Sequence, residues 1–143
     1  MNKILIVFLS FCSIAQADIC MDAVMNIESS GNPNAISFLG AKYGRGLYQI
    51  SEIALKDYNN YHTNERYGVQ DLFNTQINGK IASWLLYERI PQLLRFYGHA
   101  VNDENVLHCY NIGIGAFNNG KRNINYINKY RGQLCRYSKF SKN

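Results

Sequence analysis

Apolar residues along this chain recur mostly at three- and four-residue intervals, the spacing that lays one stripe on a helix. Ile19, Ala23, Val24 and Ile27 predict a short helix over residues 19–29, and Ser30-Gly31-Asn32-Pro33-Asn34 ends it with turn residues. The stretch from Gly40 to Gly46 is too rich in glycine for regular helix. Ser51 and Glu52 open a second helix through about Tyr58, and Asn59-Asn60-Tyr61-His62 closes it. Asp71 is expected to cap the longest helix, residues 71–97, whose stripe is Leu72, Ile77, Ile81, Leu85, Leu86, Leu93 and Leu94, with Pro91 kinking or dividing it. Asp103 caps a further helix from Glu104 to about Ile112, and residues 121–130 form a last short one. Strand alternation is confined to Gly46-Leu47-Tyr48-Gln49-Ile50. Without internal repeats or linker-like composition, the pattern predicts one compact, mostly α domain with at most a tiny β element.

A continuous apolar run occurs at the start. Asn2 and Lys3 precede Ile4-Leu5-Ile6-Val7-Phe8-Leu9, which continues through Phe11 to Ile14, and Ala15-Gln16-Ala17 supplies a small-x-small cleavage site. The run is shorter than the ~20 residues of a bilayer-spanning helix. Residues 1–17 are therefore expected to be a secretory signal peptide cleaved near Ala17. That leaves residues 18–143 as an exported domain of the periplasm or cell envelope. An uncleaved anchor is the alternative; a lipoprotein is disfavoured by Phe11, which occupies the place of the small residue that should precede Cys12.

Composition narrows this picture only in part. With 143 residues, 47% hydrophobic and 17% charged, the chain can bury one core and is neither disordered nor fibrous. A net charge of +5, lowered by one when Lys3 leaves with the leader, favours an anionic partner: a wall polymer, a membrane surface or nucleic acid. The even count of four cysteines misleads, because loss of Cys12 leaves Cys20, Cys109 and Cys135. Cys20 and Cys135 lie near the two ends of the domain and are expected to pair, since domain termini are often close together. Cys109, inside an apolar helical pattern, is expected to be buried and free. His62, His99 and His108 show no ligand spacing with these cysteines, so no metal and no other cofactor is expected.

Three segments carry residues that are expensive to place for stability alone. Glu28 sits at the C-terminal end of an apolar helix in Asn26-Ile27-Glu28-Ser29-Ser30-Gly31. The negative end of the helix dipole, together with burial beside Val24 and Ile27, would raise its pKa toward that of a general acid. Gly44-Arg45-Gly46-Leu47-Tyr48-Gln49-Ile50 combines glycines that admit close backbone approach with an amide that both donates and accepts. Cys109-Tyr110-Asn111-Ile112-Gly113-Ile114-Gly115-Ala116 ends a helix in a glycine turn. Each has a bland counterpart when read singly: a solvated glutamate, a glycine loop, a packed aromatic beside a helix-ending Asn.

In this order and spacing the three segments resemble the soluble lytic transglycosylase family, whose domain has a goose-type-lysozyme fold. The family's Glu-Ser motif matches Glu28-Ser29, followed by Gly31-Asn32-Pro33-Asn34-Ala35; its Gly-Leu-Met-Gln motif matches Gly46-Leu47-Tyr48-Gln49, with Tyr48 replacing Met. Its Ala-Tyr-Asn motif matches Cys109-Tyr110-Asn111, with Cys109 replacing Ala and Gly113 and Gly115 trailing; the serine nine residues after the glutamate is Ser37. The resemblance covers roughly residues 19–130. The stretch between Ser37 and Gly46 is about three residues longer than the common form, adding Lys42, Tyr43 and Arg45. The family's Asn-Ile-x-x-Gly segment is poorly matched by Gln76-Ile77-Asn78-Gly79 and carries no site over.

The resemblance implies peptidoglycan as substrate, cut between N-acetylmuramic acid and N-acetylglucosamine with formation of a 1,6-anhydro end. Glu28 is the implied catalytic acid and base; Tyr110 is expected to hold it and the substrate in register. Ser37, Gln49 and Asn111 are expected sugar contacts, and Tyr48 an expected ring-stacking surface. Glu52 and Asp57, the nearest further acids, read as a helix start and a helix surface. The rivals are a goose-type lysozyme that hydrolyses the same bond and a non-catalytic component of a secretion machine on the same fold. A nucleic-acid-binding role is not expected: Lys121-Arg122 and Arg131 to Lys142 are basic, but Asn and Tyr are interspersed among these segments and they make no recognised motif. The expected partners are glycan strands and a cell-envelope secretion or conjugation apparatus, with the protein a monomer.

Overall fold

The computed structural model of the protein describes residues 18–39 and 42–140, and of residues 39, 42 and 135–140 the backbone alone. The expected signal peptide lies outside the described residues.

Helix α1, Met21–Ser29, ends where Ser30 turns left-handed at φ 54° and donates its N–H to the Asn26 carbonyl. Two short strands follow, β1 (Ile36–Leu39) and β2 (Lys42–Arg45), then a turn over residues 46–49 and a third strand, β3 (Ile50–Ser51). The strands form an antiparallel sheet in the order β1-β2-β3, with Phe38 opposite Tyr43 and Ser37 opposite Gly44. The expected alternation over residues 46–50 is therefore corrected: strand character lies before it and only at its end. The reason is burial. Ile36 and Phe38 point their apolar side chains to solvent, 61% and 64% exposed, so β1 lacks the buried-face pattern that identifies a strand.

Ser51 caps α2 (Glu52–Tyr61), its Oγ accepting the Ala54 N–H as expected, and the helix runs three residues past Tyr58. The long helix expected over residues 71–97 is instead three helical segments led by a turn. Asp71 belongs to a 3-10 turn, Val69–Phe73, where it accepts the Gly68 N–H, and Asn74 caps α3 (Thr75–Trp84). A π-helical turn, Leu85–Arg89, then leads into α4 (Ile90–Phe96). Pro91 explains the break, because it has no N–H for the carbonyl four residues earlier and its ring crowds that turn. Helix α5, Asp103–Ile112, is capped by Asn102 rather than by Asp103. Two differences remain: a short helix α6, Ile114–Asn118, follows α5 directly, and the last helix, α7, runs over Ile124–Phe140.

The core joins these pieces through Val24, Leu72, Ile81, Leu86, Leu94, Val106, Leu107, Phe117 and Ile127. Helix α1 packs on α7, and its entry is tied down twice, by Tyr87 Oη–H to the Ile19 carbonyl and by the Cys20 N–H to Tyr130 Oη at 2.8 Å. Among the described residues no helix is long and apolar enough to cross a membrane, and no group of three His, Cys, Asp or Glu is placed to hold a metal. No disulfide is formed among them either. Cys20 and Cys109 are not joined to each other, and the expected Cys20–Cys135 pairing falls on Cys135, whose side chain lies outside the described residues.

Candidate active site

A cleft of about 800 Å³ runs between β2–β3 and α2 on one side and the ends of α1 and α5 on the other. Glu28 lines it from the last turn of α1, half-buried. One carboxyl oxygen, Oε1, accepts the Tyr126 Oη–H at 2.6 Å, from the first turns of α7. Burial raises the carboxyl from an ordinary 4.5 to about 7, against the opposing pull of the Tyr126 hydrogen bond and the positive charge of Lys129. At neutral pH Glu28 is thus poised between its acid and base forms, the condition a group needs to give a proton and then take one back.

Tyr110 lines the cleft, and its hydroxyl donates to the Tyr48 carbonyl at 2.7 Å. Burial and the neighbouring Glu28 hold its phenol well above the usual range, so it stays a neutral donor. The residue whose hydroxyl holds Glu28 is therefore Tyr126, with Tyr110 bracing the loop opposite. Tyr126 itself is 5% exposed and likewise held protonated by burial and by Glu28. Asn111 lines the cleft, its Oδ1 accepting from Asn123 Nδ2 at 2.7 Å. Cys109 lines it too; burial pushes its thiol up to about 12, which leaves it an uncharged wall group.

The Gly46–Gln49 loop is used differently from the expectation. Gln49 lines the cleft, but both its amide hydrogens are spent on the carbonyls of Ala35 and Gly46, and its Oε1 accepts the Ser37 hydroxyl. Ser37 is not among the residues lining the cleft, so its hydroxyl serves to hold Gln49. Tyr48 is 7% exposed and packed in the core, which removes the ring-stacking surface expected there. Beneath the loop, fully buried Asn78 accepts the Tyr48 N–H at 2.8 Å and donates to the carbonyls of Arg45 and Leu72 at 2.9 and 2.8 Å. Gly46, at φ 76°, is confined to glycine on two counts: a Cβ there would lie 2.2 Å from the Leu72 carbonyl oxygen and 2.4 Å from Asn78 Nδ2.

A second carboxylate also faces the cleft. Asp57, on α2, receives two bonds from Arg89, Nε to Oδ2 at 2.7 Å and Nη2 to Oδ1 at 3.2 Å. The π-helical turn carries Arg89 to this pairing, and its first residue, Leu85, and the Ile90 that follows it line the cleft. Glu52 pairs with Arg45 at 3.0 Å outside the cleft lining.

A small sheet set against a helical bundle, with the half-buried Glu28 carboxyl in the cleft they form, makes a lysozyme-like, mostly α-helical domain. The model of the Transglycosylase SLT domain family matches residues 18–131, and the chain belongs to that family. No similar curated protein and no similar solved structure was found.

Proposed function

We propose that the protein is an exported peptidoglycan lytic transglycosylase that cleaves the MurNAc-β-1,4-GlcNAc bond and leaves a 1,6-anhydro-muramyl end. The observation that carries this reading is Glu28, open to the cleft and raised to about 7. Protonated, it gives its hydrogen to the glycosidic oxygen as the C1–O bond breaks. The resulting carboxylate takes the proton from the muramyl 6-hydroxyl as that oxygen bonds to C1. Water is not consumed and the carboxyl ends as it began. One carboxyl suffices, where ordinary glycosidases use a flanking pair. The Asp57–Arg89 pairing supports the single-acid reading, since both Asp57 carboxyl oxygens already accept hydrogen bonds from the Arg89 guanidinium.

Hydrolysis is the second reading, favoured by the position of Asp57 in the same cleft. A purely structural component of a secretion machine is disfavoured, because a carboxyl held near 7 destabilises the folded state at neutral pH and a binding module gains nothing from it. The biological setting that fits is local wall opening, for secretion, conjugation, pilus assembly or phage entry, or wall turnover.

Digestion of purified peptidoglycan by the wild type and by Glu28→Gln, followed by mass spectrometry of the muropeptides, tests the reading. The expected result is anhydro ends, one water lighter than reducing ends, and about a thousandfold loss of rate in the variant. Reducing ends would assign hydrolysis instead; digestion by Glu28→Gln at the wild-type rate would remove Glu28 from the mechanism.

A further inference from the structure

Asn123 precedes α7 and is gripped from three sides. Its backbone N–H donates to His108 Nδ1 at 3.1 Å. Its Oδ1 accepts the Tyr126 N–H at 3.1 Å, as an N-cap does, and its Nδ2 donates to Asn111 Oδ1 at 2.7 Å. Tyr126 is the residue whose hydroxyl reaches Glu28 at 2.6 Å, and Asn111 lines the cleft. His108 is buried at 1% exposure, and burial lowers its pKa. Because its Nδ1 accepts a backbone N–H, the ring is neutral with its hydrogen on Nε2, 3.7 Å from Glu104 Oε1. A neutral ring thus fixes the Asn123 backbone, and the Asn123 side chain fixes Asn111 in the cleft wall and Tyr126, whose hydroxyl reaches Glu28.

We propose that Asn123 is a positioning residue for the reaction: it sets Tyr126, and through it the acid Glu28, and it independently sets Asn111 toward the substrate. The proposal rests on Glu28 being the catalytic acid. An asparagine here does what a simple cap does not. A serine or threonine at the same place can accept the Tyr126 N–H, but its hydroxyl stops short of Asn111. Loss of the cap lets the start of α7 fray and withdraws the Tyr126 hydroxyl from Glu28. That hydrogen bond favours the carboxylate form, so its loss raises the Glu28 pKa.

The two functions separate in Asn123→Ala and Asn123→Ser of the purified protein, assayed on peptidoglycan across pH. Asn123→Ala is expected to lower kcat about tenfold, to move the alkaline limb of kcat/KM up by about half a pH unit, and to raise KM severalfold. Asn123→Ser is expected to restore kcat and the limb while KM stays raised. A limb unmoved together with an unshifted Glu28 carboxyl in Asn123→Ala, or KM restored in Asn123→Ser, overturns the proposal, because loss of fold alone lowers the rate without moving these quantities. If Asn123→Ala does not fold, Asn123→Ser decides alone: raised KM with an unmoved limb supports the link, and unchanged KM refutes it. Carbon-13 titration of the Glu28 carboxyl keeps the two readings apart. A shifted carboxyl in Asn123→Ala with an unshifted rate profile removes Glu28 as the acid and leaves the link standing; an unshifted carboxyl breaks the link itself.

Discussion

The cleft has two polar corners, and they spend their hydrogen bonds in opposite ways. At the Gly46–Gln49 loop, Ser37, Gln49 and Asn78 direct their polar atoms into backbone carbonyls, a backbone N–H and one another. At the Glu28 corner, the Tyr126 hydroxyl takes one carboxyl oxygen, and the carboxyl still lines the cleft with its pKa displaced by burial. The first corner is a satisfied network that fixes shape. The second tolerates an unfavourably placed acid, the one the proposed reaction would use. Polar residues that look alike as candidate sugar ligands thus divide into those consumed by the fold and those left for chemistry.

The sharpest way to break this division is to remove the Asn78 side chain. Asn78→Ala removes the acceptor of the Tyr48 N–H and the donor to the Arg45 and Leu72 carbonyls, three hydrogen bonds of a fully buried side chain, and opens a cavity. The expected loss of stability is about 3–4 kcal/mol, read by urea denaturation. Activity measured well below the melting temperature should fall less than tenfold, because Asn78 lines no part of the cleft. A thousandfold loss in a folded Asn78→Ala would make the loop corner part of the chemistry and collapse the distinction.

Much of the helical framework was legible because its signals are local. Ser51 reads as a cap from its own neighbours, and it is one; Pro91 announces a break wherever it stands. Glu28 was legible through its place at the end of an apolar helix and through the motif it shares with a family. Tyr126 and Asn123 were not. Tyr126 meets Glu28 across 98 residues of sequence, and nothing in Asn123-Ile124-Asn125-Tyr126 tells which helix its first turn will face. Asn123 carries the composition of an N-cap, a signal that can place the start of α7 but not its partner. The hairpin was hidden for another reason: its Ile36, Phe38 and Tyr43 side chains face outward, so the burial alternation that marks a strand is absent. Gln49 lines the cleft as a candidate sugar contact, but the sequence does not show that its amide is also engaged by Ala35, Gly46 and Ser37 within a tight loop.

A somewhat smaller effect tests the cost of the second corner. Glu28 binds its proton more tightly when folded, at about 7, than at its ordinary value of 4.5. Below pH 4.5 both states are protonated and no stability is lost. Between 4.5 and 7 the unfolded chain ionises first, and stability falls as pH rises; above 7 the loss is complete, at about 3 kcal/mol. Glu28→Gln removes that ionisation while keeping an acceptor for Tyr126. It should therefore melt higher than the wild type at about pH 8 and match it at about pH 4, although it no longer cuts glycan. An equal difference at both pH values would mean that the carboxyl is not destabilised by burial.

The smallest effect concerns the hydroxyl that joins α7 to the acid. Tyr126→Phe keeps the ring in the core and deletes only the Oη–H that Glu28 Oε1 accepts. That bond stabilises the carboxylate, so its removal should raise the Glu28 pKa further, by about one unit or less. The alkaline limb of kcat/KM should move up by the same amount. Stability should follow the same sign: with the folded-state pKa carried farther above 4.5, the variant should lose little at low pH and about 1 kcal/mol above the new limb. A downward shift would mean that Tyr126 favours the protonated acid. A limb unmoved together with lost activity would place Tyr126 against the substrate rather than the carboxyl. An upward shift with kcat nearly intact leaves Tyr126 as the group that tunes an acid already set by burial, and marks the helical wall as the corner of the cleft where single hydrogen bonds change chemistry more than they change the fold.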